Sequence, residues 1–165
     1  MTGPELAAVP GGESLREAFA CFPSGVVAVC ALADGAPAGL AASSFTSVSL
    51  DPPLVSVCVR RTSTTWPVLR PAARLGISVL AEDQDLLCRQ LARKSGNRFE
   101  RVSWTRDPAG AVFIDGASLW LSCTVEDEVP AGDHGIAVLR IHGLRAEPLV
   151  SPLVFHGSTF GRVAS

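Results

Sequence analysis

The sequence predicts a mainly β domain, a mostly antiparallel barrel decorated with a few short helices, and three observations lead there. Strand-like runs outnumber helical ones, the strands are not each separated from the next by a ten-residue helix as a parallel sheet requires, and no repeat or low-complexity block interrupts the pattern. The 165 residues, 47% of them hydrophobic, suffice for one packed core and are short for two.

Residues Met1 to Gly12, rich in Pro, Gly and Ala, read as a loose arm, which leaves 13–165 as the single domain. Ser14 and Glu17 have capping-box spacing, and Leu15, Ala18, Phe19 and Phe22 fall on one apolar face, so a short helix is expected to end near Pro23 to Gly25. Val26 to Leu32 is apolar and β-branched, Asp34-Gly35 signals a tight turn, and Gly39 to Ser43 resumes, giving a hairpin. A strand at Leu54 to Val59, a short helix at Thr64 to Arg70 and a strand at Leu75 to Leu80 follow. Asp83 to Lys94 reads as a helix with Leu86, Leu87 and Leu91 on one face, Arg93 and Lys94 in its last turn and Gly96 as its stop. After Val112 to Ile114, the runs Ser118 to Val129 and Gly135 to Leu144 form a long hairpin whose turn, Pro130 to His134, carries a histidine. Leu153 to Phe155 is the last apolar run before Phe160-Gly161-Arg162.

The formal charge of -2 gives no basic field, so nucleic acid is not an expected partner. No apolar run approaches the roughly 20 residues that span a bilayer, and acidic Glu5 stands where a secretory signal carries basic residues; a cytoplasmic protein away from membranes is expected. Five cysteines, an odd number without a C-x-x-C pair, indicate neither a disulfide framework nor a zinc site, and read as small buried hydrophobes. The histidines 134, 142 and 156 lack the short spacing of paired ligands, so no metal is expected.

The segment Arg60 to Pro67 sets two cations and four hydroxyls at the start of the short helix. Uncapped helix N–H groups, the helix dipole, Ser and Thr donors and arginine would together suit a phosphate. The competing reading is an ordinary N-cap.

Several blocks stand in a recognisable order: Phe19 to Val26, Gly39 to Val55, Thr62 to Pro67, Ile77 to Gln84, Arg98-Phe99, Gly132-Asp133-His134 and Pro152 to Phe155. The series resembles the flavin reductase family with an FMN-binding split barrel, the small components of two-component flavin-dependent monooxygenases. The resemblance implies a homodimer of antiparallel Greek-key split barrels that binds FMN or FAD, takes hydride from NADH or NADPH and passes reduced flavin to a monooxygenase. It further implies that Ala41, Ala42, Ser43 and Ser44 lie along the flavin ring and ribityl chain. Arg60, Ser63, Thr64 and Thr65 would take the flavin phosphate, Phe99 and Phe160 would stand near the flavin, and His134 would be the catalytic residue that meets the reduced nicotinamide.

Hydride transfer between two cofactors needs no strong acid, base or nucleophile from the protein, only two rings held in place. Small residues from Ala41 to Ser44 allow backbone donors to approach a flat ring edge, although close strand packing uses the same residues. Ser43 and Ser44 sit in no G-x-S-x-G elbow, which argues against a serine hydrolase. Asp133 either orients His134 or satisfies turn amides, the latter being its ordinary use. The Ala41-Ala42 pair replaces a threonine-containing version in similar sequences, and the chain has no tyrosine. Two rivals keep the barrel: a flavin-bound oxidase or oxidoreductase acting on an organic substrate, and a flavin-binding dimer without catalysis.

Overall fold

The computed structural model describes residues 1 and 3–164. Helix α1 (Gly12–Phe19) precedes the short β1 (Ser24–Gly25) and the strands β2 (Val27–Ala33), β3 (Ala36–Ala42), β4 (Thr46–Leu50) and β5 (Pro53–Arg60). Then come α2 (Trp66–Leu69), β6 (Leu75–Val79), α3 (Asp85–Leu91), β7 (Trp104–Arg106) and β8 (Val112–Ile114). The long strands β9 (Leu119–Ala131) and β10 (His134–Ala146) follow, and β11 (Leu153–His156) and β12 (Thr159–Arg162) close the chain.

Seven strands form one antiparallel sheet in the order β3-β2-β6-β9-β10-β5-β4. Its two edges, β3 and β4, are joined by only Ser43, Ser44 and Phe45. At roughly 3.5 Å per residue such a linker cannot cross a flat seven-stranded sheet, so the sheet curls until its edges meet, which makes the barrel. No ladder pairs β3 with β4, so the barrel stays split along that line. The Ser44 hydroxyl stitches one side of the split by accepting from the Cys58 N–H at 2.8 Å and donating to the Cys58 carbonyl at 3.2 Å.

Alternation along the strands divides the core in two. Val27, Val29, Val55, Val57, Leu75, Ile77 and Leu139 fill the barrel. Ala28 and Cys30, on the other face of β2, join Leu80, Leu91, Val112, Ile114 and Leu153 in a second cluster between the barrel wall, α3 and the sheet β1-β11-β12. Burial on both faces is why β2 reads as a continuous apolar run. Gly76 lies where β6 passes β8, and a Cβ there would sit 2.0 Å from the Val112 carbonyl oxygen.

The expected β2–β3 hairpin is present, with Asp34 and Gly35 both at positive φ, as the tight primed turn requires. Four expectations need correction. Helix α1 starts at Gly12 and Ser14 lies inside it, so no capping box forms; its apolar face is uncovered, with Phe19 and Phe22 67% and 79% exposed. Helix α3 is shorter than expected and buries Cys88 and Leu91, while Leu86 is 74% exposed. His134 is not in a turn: Ala131 pairs with His134, the turn is only Gly132-Asp133, and His134 opens β10. Cys21 is exposed, unlike Cys30, Cys88 and Cys123, whose burial raises the thiols to about 12, 11 and 12.

Candidate functional site

Two strand ends and the split create the site. Arg60, the last residue of β5, is the cross-strand partner of His134, the first of β10. Ser43 and Ser44 cross from β3 to β4 beside them. Together these four residues line one cleft of about 880 Å3, within the size range of ligand sites. Its apolar lining comes from distant parts of the chain: Phe19 at the end of α1, Phe22 just after it, and Phe155 on β11, which β1 holds by pairing Ser24 with Phe155.

His134 is a half-exposed imidazole whose Nδ1 lies 2.8 Å from the Asp133 carboxylate. That hydrogen bond, reinforced by the nearby Arg60 charge, holds the Asp133 carboxyl below its usual range. Asp133 thus contacts the imidazole directly, beyond its ordinary use in turns. With Nδ1 engaged, Nε2 is the ring nitrogen left without a partner among the described residues. The Arg60 guanidinium likewise makes no ion pair or side-chain hydrogen bond among the described residues, which leaves its donors for an anion.

A smaller hollow of about 330 Å3 lies against the same pair, lined also by Ser63, Trp66, Arg70 and Glu128. Glu128 accepts from the Trp66 indole at 2.6 Å and pairs with Arg70, fixing α2 to β9. The helix-mouth part of the phosphate argument is corrected here. Helix α2 has four residues, the Trp66 N–H is already taken by the Ser63 hydroxyl at 3.1 Å, and Pro67 has no N–H to offer. What remains for an anion is Arg60 and the hydroxyls.

The other expected residues are placed as follows. Thr64 is exposed, and the Thr65 hydroxyl accepts from Arg98 at 2.7 Å. Ala41 and Ala42 pair with β2 and pack on the two cores. Their strand pairs along one edge only, so alternate backbone groups of β3 face the split. Phe99 is buried in the second core, and Phe160 packs there against Phe155 with Arg89 over its ring. Neither lines the cleft. His156, which is not among the residues the resemblance implies, does line it, as do Phe19, Phe22 and Phe155. The apolar face of α1 and the aromatic ending of the last apolar run were the available signals, but nothing local showed that they meet.

Comparison with known proteins identifies the family and the fold. The family described as flavin reductase like domain matches residues 19–164. The chain is 39% identical to the actinorhodin polyketide dimerase of Streptomyces coelicolor over 92% of this chain and 86% of that protein. It is 38% identical to the FMN reductase (NADH) SmoA of Agrobacterium fabrum over 93% of this chain and 89% of that one. Further relatives carry the names of reductase components of flavin-dependent monooxygenases. Among solved structures, the NADH:FAD oxidoreductase SgcE6 of Streptomyces globisporus, in complex with NAD and FAD fragments, superposes with a TM-score of 0.86 at 34% identity, covering 92% of each chain. With a family match across most of its length and the same fold in such a relative, the chain belongs to the flavin reductase-like domain family.

Proposed function

We propose that the protein is an NAD(P)H:flavin oxidoreductase that passes a hydride from NADH or NADPH to FMN or FAD and supplies the reduced flavin to a partner flavin-dependent monooxygenase. The observation that carries this reading is the meeting of Arg60 and His134 on one cleft wall, beside the unpaired edge of β3, in a chain of this family.

A flavin asks for flat apolar contact, backbone groups near the polar ring edge, and a cation with hydroxyls for its phosphate. The residues present fit. Phe19, Phe22 and Phe155 give the apolar wall, and Ala41, Ala42 and Ser43 bring backbone groups to the split. Ser44, whose hydroxyl is spent on Cys58, contributes main-chain atoms only. Arg60, Ser63, Thr64 and Thr65 hold the phosphate. Phe99 and Phe160 enter as packing behind the site.

When bound, the flavin supplies a two-electron acceptor and the nicotinamide supplies the hydride, so the chain need only hold and align them. His134 is the residue of this chain that touches the nicotinamide nucleotide, and Asp133 keeps its ring from rotating. The acting unit is a homodimer, in which the exposed Phe19 and Phe22 find cover. Steady-state oxidation of NADH or NADPH with added FMN or FAD tests the proposal. Loss of reduced-nicotinamide absorbance that requires flavin is expected; no such loss with any of the four pairings overturns it.

A further inference from the structure

We infer that Arg98 is a positioning residue that presets the anion-binding loop, holding the Thr65 hydroxyl as a donor toward the flavin phosphate and tying that loop to β3. The inference rests on the flavin reading above and deepens it.

Arg98 lies outside both the anion-binding loop and β3, yet its Nη1 donates to each. One bond goes to the Thr65 hydroxyl at 2.7 Å and the other to the Gly39 carbonyl on β3 at 3.1 Å. The guanidinium is half-buried and, among the described residues, faces no carboxylate partner within ion-pair distance. It therefore acts through two neutral acceptors rather than through an ion pair.

The polarity of the loop follows from this contact. A hydroxyl that accepts from a guanidinium must turn its own proton away from it, and Thr65 Oγ1 donates to nothing among the described residues. Ser63 is held in the same sense: its oxygen accepts from the Trp66 N–H at 3.1 Å, which leaves its proton free to be donated elsewhere. Two hydroxyls of one loop thus each accept one internal hydrogen bond and, among the described residues, leave their protons unused. Next to the uncommitted Arg60, that arrangement selects an anion and disfavours a cation. The bond from a charged donor also polarises the Thr65 hydroxyl and strengthens it as a donor in turn.

The second bond gives Arg98 its reach. Gly39 stands two residues before Ala41, on the strand whose free edge faces the split, and a Cβ at Gly39 would lie 2.5 Å from the Cys30 sulfur and 3.0 Å from the Phe99 ring. That tight contact and the Arg98 bond fix this part of β3 relative to Thr65. Arg98 thereby adds a direct polar tie between β3 and the loop at Thr65, beside the packing of α2 on the barrel core.

The test is titration of flavin fluorescence with FMN and with riboflavin, which lacks the phosphate, on Arg98→Met, Thr65→Val, the double variant and Ser63→Ala. Arg98→Met and Thr65→Val are each expected to weaken FMN about tenfold while riboflavin changes less than about threefold, because a hydrogen bond to a charged group is lost. The double variant is expected to be no weaker than Arg98→Met alone, since the two residues form one unit. Losses that multiply, or equal losses for both ligands in Arg98→Met, overturn the positioning role. If Ser63→Ala shifts the FMN-to-riboflavin ratio and Arg98→Met does not, only the Arg98 inference falls; if no variant shifts it, the phosphate reading falls with it. Should Arg98→Met not fold, Arg98→Lys serves, because its ammonium ends one bond short of the Nη1 position that holds both acceptors: a loss of about threefold for FMN against unchanged riboflavin supports the role, and equal changes overturn it.

Discussion

Arg60 and His134 are directly opposed across the β5–β10 ladder, each at the very end of its strand, so that the two side chains are set by one pair of register partners. Side chains so paired stand about 5 Å apart at Cβ, yet they serve different ligands in the proposed reaction. Arg60→Ala is expected to raise the KM for FMN about tenfold and leave that for NADH within about twofold, while His134→Ala does the reverse. Steady-state kinetics with each substrate varied in turn decides this. If either variant affected both substrates equally, the division of labour would be refuted.

Asp133 acts on His134 through orientation, being itself almost wholly exposed. Replacing it with Asn keeps a hydrogen-bond acceptor of the same shape but removes its charge. The expected result is a rise of about threefold in the KM for NADH, with FMN affinity unchanged, and a larger rise, near that of His134→Ala, for Asp133→Ala. The depressed Asp133 carboxyl also has a sign. Its folded-state value lies below the unfolded one, so its contribution is present above the unfolded value and is lost as pH falls through the folded one. Thermal midpoints measured through the acid range for wild type and Asp133→Asn should therefore converge toward low pH.

Gly76 is a structural counterpart, a position where space alone dictates the residue. A methyl group there would meet the Val112 backbone oxygen at 2.0 Å, and backbone on both sides cannot step aside as a flexible side chain would. Gly76→Ala is expected to destabilise the fold by about 3 kcal/mol, lowering the thermal midpoint by about 10 °C. Calorimetry on the purified variant checks it, and a midpoint within about 2 °C of wild type would show that β6 and β8 separate easily.

Much of this was legible locally and the rest depended on pairing. Hairpins announced by Asp34-Gly35, and the long β9–β10 arms, follow from turn chemistry and alternation, which are properties of neighbouring residues. Strand β4 escaped because Thr46 to Leu50 is a largely exposed edge strand without an apolar face. The sequence places His134 in a turn because it does not show that Gly132, at φ +64, closes the hairpin in two residues. The cleft's apolar lining was hidden for a stronger reason. Phe155 is brought to the site by pairings such as that of β11 with Ser24, and no local pattern encodes a partner about 130 residues away. Ser44 shows the converse: its place in the motif series was readable, but its hydroxyl proved to close the ladder against Cys58.

The buried thiols predict the behaviour of the protein in alkali. Burial raises Cys30 to about 12, Cys88 to about 11 and Cys123 to about 12, because a thiolate there would lose its hydration. A folded-state value above the unfolded one means that the stability from these neutral thiols is whole below the unfolded value near 9. It is lost as pH rises from there toward 11 or 12, since only the unfolded chain releases the protons. Thermal midpoints should therefore fall steadily above pH ~9. Cys123→Ala should lose stability at neutral pH through the cavity it leaves, yet show a shallower alkaline fall than wild type. Identical slopes would mean that other groups govern the alkaline limb. Alkylation of the native protein at neutral pH offers an independent reading: exposed Cys21 should react first, and Cys30, Cys88 and Cys123 should react only after unfolding.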